Sequence, residues 1–350
     1  MAHVVQTRTR AGTIAGGTAL LLIAVAIILP AFASRSLIQD LFMILTMLTL
    51  AQLWNLLAGS AGLVSIGQQA FVGIGAYAMF AGVILWGWDP VPAILLAGVA
   101  AVLLAIPTAF FAFRLQGAYF AIGTWVIAEV TRLLVAQWKA LGGGTGTSLP
   151  REVTGNIMGV DAIRGLLGVK EAAARDILAY WIALILAVMT IGAIYALMRN
   201  RQGLALAAVR DNTDAARSVG VDAGAIKWQV FLLAAFGTGL VGALVYMQKA
   251  QISPDAAFDV TDWTALIIFI VVIGGIGTIE GPIVGVIVFY VLQTFFADFG
   301  SWYFMTLGLI GICVMLFAPK GLWGLFAART GIRLFPVQRR LVVGTKQEEP

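Results

Sequence analysis

Apolar runs of roughly 20 residues recur along this chain, near 13–32, 37–57, 62–85, 92–113, 117–138, 177–198, 228–250, 263–279, 282–299 and 302–318. Each run is continuous. As an α-helix, a run of that length spans the roughly 30 Å hydrocarbon layer of a bilayer. A transmembrane β-barrel would instead alternate apolar and polar positions with period two. The pattern therefore predicts an all-α polytopic membrane protein of about ten transmembrane helices. The third, eighth and ninth runs are rich in glycine and broken by polar residues. The first run follows Arg8 and Arg10 and precedes Ala31-Phe32-Ala33, as in a secretory signal. Its length and the similar runs after it favour a first membrane crossing.

Two polar stretches stand out between the runs. Residues 139–176 form a long loop after the fifth run, and residues 199–227 separate the sixth from the seventh. With ten crossings both termini share one side, and basic residues select it. A cytoplasmic placement of the termini puts Arg199, Arg201, Arg210, Arg217, Lys227, Lys320 and the basic tail inside. Arg35, Lys249 and the basic residues of 139–176, which are mixed with acidic ones, then fall outside. The expected layout is a single permease-like domain over 1–350, membrane-embedded from about 13 to 318. Residues 139–176 are external, 199–227 form a cytoplasmic loop, and 319–350 form a cytoplasmic tail. Five runs precede the external loop and five follow it, so the halves take opposite orientations, as in inverted-topology transporters. The loop carries Gly142-Gly143-Gly144-Thr145-Gly146 and an amphipathic stretch near 160–168. Capping the outer mouth, docking a soluble protein and lying passively on the surface all fit it.

Composition agrees with lipid as the main solvent. Hydrophobic residues make up 61% of the chain and charged residues 11%, against roughly 45–50% and 25% in soluble domains. Glycine, 40 of 350 residues, lets membrane helices approach closely where packing rather than hydrophobicity joins them. One cysteine (Cys313) and one histidine (His3) leave no internal disulfide, Cys/His metal cluster or Cys-His nucleophile pair. Cys313 reads as a packing residue and His3 as part of a fraying terminus. No G-x-x-x-x-G-K-[ST] segment is present, so any ATP would be hydrolysed by another chain. No enzymatic activity, cofactor, metal or nucleic-acid partner is expected.

The 199–227 loop has a readable local structure. Gly203 is expected to break the chain after the sixth crossing. Asp211-Asn212-Thr213 offers capping side chains, and Asp214 in a first turn complements the positive helix end. Ala215 and Ala216 favour helix, and Gly220 is a natural stop. A helix of about two turns with small exposed side chains follows. Such a helix suits a groove on a partner, and Arg210, Arg217 and Lys227 add charge beside it.

Polar residues inside the runs need partners, because an unsatisfied amide in lipid costs several kcal/mol. Asn55, Ser65, Gln68 and Gln69 surround the Gly59–Gly75 segment. Two roles fit them: lining a translocation path, or bonding to neighbouring helices. Glu129 and Arg132 lie three apart on the fifth run, a spacing that lets the charges offset one another. A structural ion pair and an ion-coupled transporter are both open at that position. On the seventh run, Ala235-x-x-x-Gly239-x-x-x-Ala243 forms a small-residue stripe for close packing.

Four segments carry a resemblance. Residues 54–68 read WNLLAGSAGLVSIGQ, followed by Phe71-x-Gly73-Ile74-Gly75-Ala76-Tyr77. Next come Gly203 to Gly220 with Asp214-Ala215-Ala216-x-x-x-Gly220, then Ile252-Ser253-Pro254 and Gly274-Gly275-Ile276-Gly277 with Gly281-Pro282. In this order, over roughly 40–320, they resemble the permease subunits of branched-chain amino-acid ABC importers. The resemblance implies a type II importer-like bundle in a bacterial inner membrane. It implies a second homologous permease subunit, two ATPase subunits and an extracytoplasmic substrate-binding protein as partners. It also implies an ATPase-coupling role for Gly203, Arg210, Asp211, Asp214, Ala215, Ala216, Arg217 and Gly220. Urea and small-amide importers are relatives in the same superfamily, so the small-molecule substrate stays open between these classes.

Overall fold

A computed structural model describes residues 3–6, 10–296, 301–331, 334–335 and 340–343. The helices in chain order are α1 (Arg10–Ile28), α2 (Arg35–Asn55), α3 (Gln68–Trp86), α4 (Pro90–Ala112) and α5 (Ala118–Ala136). The short α6 (Arg151–Gly155) and α7 (Val160–Leu167) precede α8 (Glu171–Arg199), α9 (Arg201–Asp211), α10 (Thr213–Ser218) and α11 (Ala223–Lys249). The chain continues through α12 (Pro254–Ala257), α13 (Leu266–Gly274), α14 (Glu280–Phe296), α15 (Ser301–Phe317) and α16 (Gly321–Thr330). Among the described residues, nine helical stretches are long and apolar enough to cross a membrane, and α14 is a shorter apolar helix. Together these correspond to the ten expected crossings.

The differences from the expected boundaries are local. The third crossing begins at Gln68 rather than near 62, because residues 62–67 are not helical. Helix α2 instead ends in a π-helical turn, Leu56–Ser60, followed by this segment, in which Leu63, Ser65 and Gly67 are buried and Gly62 and Val64 exposed. The eighth crossing runs from Pro254 through a π turn (Thr261–Ala265) into α13, and stops at Gly274 before a tight 275–279 turn. Helix α8 starts at Glu171, inside the stretch expected to be loop. The last crossing extends over Met305–Thr330 and so takes in α16.

Helices α2, α3 and α11 form the centre, where most residues are buried. Glycine sets the spacing of α3, α4 and α11. A Cβ on Gly239 would lie 2.5 Å from the Ala101 Cβ and 2.7 Å from the Ala97 carbonyl oxygen. Ala235 and Ala243 on the same stripe are fully buried, so small residues bring these backbones into contact. By contrast, only 6% of the α1 crossing is buried, which makes it peripheral. Cys313 on α15 is exposed, not packed in a core as expected, because its run lies on the outside of the bundle.

Side-chain caps position the helix starts. Ser34 Oγ accepts from Leu37 N at the start of α2, and Asp89 Oδ1 accepts from Val91 N at the start of α4. The other Asp89 oxygen accepts from Met158 N at 2.8 Å and so pins the long loop. That loop packs against the bundle. Ile157, Val160 and Ile163 pack with Ile38, Ile177 and Tyr180, and β2 (Thr147–Ser148) pairs with β3 (Gln251–Ile252). Strand β1 (His3–Gln6) pairs antiparallel with β4 (Arg340–Val343), so His3 lies in a strand opposite Val343 rather than in a frayed end.

Candidate functional site

At one end of the bundle α9 and α10 project between α8 and α11. The break after α8 is at Asn200, whose extended backbone (ψ 176°) turns the chain. Gly203, expected to be the break, sits inside α9, where a Cβ would collide with the Met198 carbonyl. Its smallness lets α9 fold back on the end of α8.

Asn212 is the cap of α10, its Oδ1 accepting from Asp214 N and Ala215 N at 3.0 Å each. Gly220 ends the segment with φ +86°, a conformation that costs other residues strain, and its N–H donates to Arg217 O. Asp214 and Arg217 face each other at 3.5 Å. Ala215 is exposed, whereas Ala216 is buried with Val209 and Ala223. One of the two alanines thus seats α10 on α9, and the other is presented outward beside Val219. A groove of about 570 Å³ adjoins this helix, lined by Gly62, Val64, Gln116, Asp214, Arg217 and Lys227 among others.

Arg210 is not available as a free surface charge. Its Nε donates to Asp211 at 3.1 Å and its Nη1 donates to the Gly59 carbonyl oxygen at 3.0 Å. Gly59 belongs to the π turn that ends this helix, and the last carbonyl groups of a helix lack intrahelical partners. A Cβ there would lie 2.5 Å from Gly277 N. Asn55, one turn earlier, bonds the same 275–279 turn from both sides. Its Nδ2 donates to Thr278 O at 2.8 Å, and its Oδ1 accepts from Gly277 N at 2.7 Å. Gln52 Nε2 adds a bond to Ile279 O at 2.7 Å.

The remaining polar candidates lie beside this knot. Trp54 Nε1 donates to Ser65 O, and Ser65 Oγ accepts from Gly67 N, which folds 62–67 back against α2. Gln69 Oε1 accepts from Thr264 Oγ1, and Gln68 Oε1 accepts from Thr238 Oγ1. All four candidates, Asn55, Ser65, Gln68 and Gln69, are buried. They link α2, α3, α11 and the 254–274 crossing. Their carbonyl and hydroxyl partners on other elements could not be read from local pattern. Gln52 could have been found, since it stands one turn before Asn55 on the same helix face.

Glu129 and Arg132 pair as expected, at the opposite end of the bundle and not alone. Arg132 Nη1 also reaches Asp255 at 2.6 Å, so one guanidinium bridges α5 and α12. Glu280 is likewise structural: it is buried, and one carboxylate oxygen accepts from Leu334 N and Phe335 N. Among the described residues no group of three or more His, Cys, Asp or Glu side chains could hold a metal ion.

This architecture, a glycine-tight helical bundle with a capped helix exposed at one end, is that of a multi-pass membrane permease. The chain belongs to the family described as permease components of branched-chain amino acid transport systems, whose model matches residues 36–318. It is 30% identical over 320 residues to the high-affinity branched-chain amino acid transport system permease protein LivM of Escherichia coli (strain K12), covering 87% of this chain and 73% of that one. The LivM protein of Salmonella typhimurium matches to the same extent. BraD of Pseudomonas aeruginosa, with the same descriptive name, is 24% identical over 77% of this chain and 89% of its own. No solved structure matches the chain significantly. A permease component is a transport subunit and not an enzyme.

Proposed function

We propose that the chain is a permease subunit of a binding-protein-dependent ABC importer in a bacterial inner membrane, carrying branched-chain or other hydrophobic amino acids. It works with a second homologous permease subunit, two ATPase subunits and an extracytoplasmic binding protein. The α10 end faces the cytoplasm and both termini lie there. The pairing of β1 with β4 supports a shared side for the ends.

One observation carries the mechanism: the exposed α10 is tied through Arg210 to Gly59, and through Asn55 to the 275–279 turn. ATPase subunits that close on ATP would move α10, with Ala215 and Val219 as its contact face and Asp211, Asp214, Arg217 and the Gly220 turn holding its shape. Arg210 passes that displacement to the end of α2. Asn55, Ser65, Gln68 and Gln69 then form the cytoplasmic closure of the translocation path, where hydrogen bonds must exchange for the helices to part. Coupling in this form requires that ATPase closure and substrate release bias the same two states.

Replacement of Ala215 by tryptophan tests this reading. Ala215 is exposed on α10, so the subunit should insert normally while ATP-driven leucine uptake by the complete importer collapses. Normal uptake at normal expression would refute the coupling role.

A further inference from the structure

At the end opposite α10, a cavity of about 580 Å³ opens among α2, α8, α11, α14 and the Thr261–Ala265 turn. That volume falls within the range of small-molecule sites, roughly 300–1,000 Å³. Its mouth is polar and its floor apolar, with Met43, Met47, Leu266 and Phe289 below the charged rim.

The charges divide into those already satisfied and those still open. Asp176 accepts from Arg35 Nε at 2.6 Å and from Gln39 Nε2 at 3.0 Å, and Asp40 accepts from the Tyr290 hydroxyl at 3.0 Å. Lys249 and Asp262 also line the cavity, and among the described residues neither forms a salt bridge. The Lys249 ammonium lies 5.1 Å from the Tyr246 ring and 5.2 Å from the Trp263 ring, which hold it in place without neutralising it.

We infer that this cavity receives a zwitterionic α-amino acid with an apolar side chain, within this single subunit. Lys249 takes the carboxylate, Asp262 takes the ammonium, and the Met43–Met47–Phe289 floor takes the side chain. Both ligand charges find charge-assisted partners, and the apolar part leaves water. A metal cation would leave Lys249 repelled, and an apolar ligand would leave both charges unanswered. The site also sits on the helix that carries the cytoplasmic knot: Met47 and Asn55 are eight residues apart, about 12 Å along α2. This inference rests on the importer reading and assigns that importer a first position for its substrate.

The test places a thiol in the cavity by Met43→Cys, in a Cys313→Ser background, within the complete permease–ATPase complex without binding protein. Alkylation of this chain is followed by mass spectrometry. L-leucine should slow it. The two analogues that each lack one charge, 4-methylpentanoate and 3-methylbutylamine, should need about 10-fold more for equal protection. Asp262→Asn should raise the half-protecting leucine concentration about 10-fold and leave 4-methylpentanoate unchanged, and Lys249→Met should spare 3-methylbutylamine instead. Misfolding would alter all three ligands alike. Absence of leucine protection, or equal protection by all three compounds, overturns the site while parental ATP-driven leucine uptake persists. Loss of that uptake in the parent overturns the importer reading itself.

Discussion

Arg210 Nη1 donates to the carbonyl oxygen of Gly59 at 3.0 Å across 151 positions of sequence, joining the end of α9 to the π turn that closes α2. The bond ties the α9–α10 segment to the end of the central helix α2. Its partner is a backbone atom, so substitution at Gly59 cannot remove the acceptor, and Arg210 is the side to change.

Arg210→Ala should reduce leucine uptake by the assembled importer by about 10-fold or more, since hydrogen bonds from charged groups contribute about 1.5–3 kcal/mol. ATP hydrolysis should continue, because α10 itself remains capped by Asn212. Uptake and hydrolysis measured on the same proteoliposomes check this. A parallel fall in both would assign Arg210 to assembly rather than transmission.

Asn55→Ala removes a side chain that satisfies Thr278 O and Gly277 N together. Each orphaned backbone group costs about 1–3 kcal/mol. The detergent-solubilised subunit should unfold several degrees lower, read by thermal fluorescence. An unchanged midpoint would show that the 275–279 turn holds without it.

Gly239→Leu drives a side chain into Ala97 and Ala101, backbone included. Monodisperse protein should be lost on size exclusion. Gly192→Leu is the control: it is exposed on α8, and a Cβ there meets nothing within 4 Å. That variant should purify as the parent does.

Glu129→Gln separates a structural ion pair from proton coupling. Arg132 retains Asp255, and both carboxylates are well exposed, 46% and 81% for their side chains. Arg132 keeps its bond to Asp255 in this variant, so the bridge between α5 and α12 persists and uptake should stay within about twofold of the parent. ATP-driven uptake that vanished in this variant, or with a protonophore, would restore the carboxylate as an energy-coupling group.

Ten crossings, the small-residue stripe on α11 and the capped α10 were legible because each depends on residues close together in sequence. Apolar run length, three- and four-residue spacing and cap chemistry act within a few turns. Gly203 was misread for an instructive reason. A glycine near a helix end looks like a stop, yet here it permits the tight approach of α9 to Met198, a contact set by the angle between helices. The sequence around Glu280 and Lys249 assigns neither a role. One turned out to hold the 334–335 backbone and the other to line a cavity, because their partners lie 54 or more positions away or on separate elements.

The amino-acid order alone determined that this protein lives in lipid, that it carries about ten apolar helices, and where a two-turn helix leaves the bundle. Only the folded arrangement decided that Arg210 meets Gly59, that Asn55 clasps the 275–279 turn, and that Lys249 and Asp262 share a cavity. The division has a physical cause. Lipid solubility and helix capping are summed over neighbours in the chain, whereas a hydrogen bond between distant segments depends on how packed backbones place two atoms within about 3 Å.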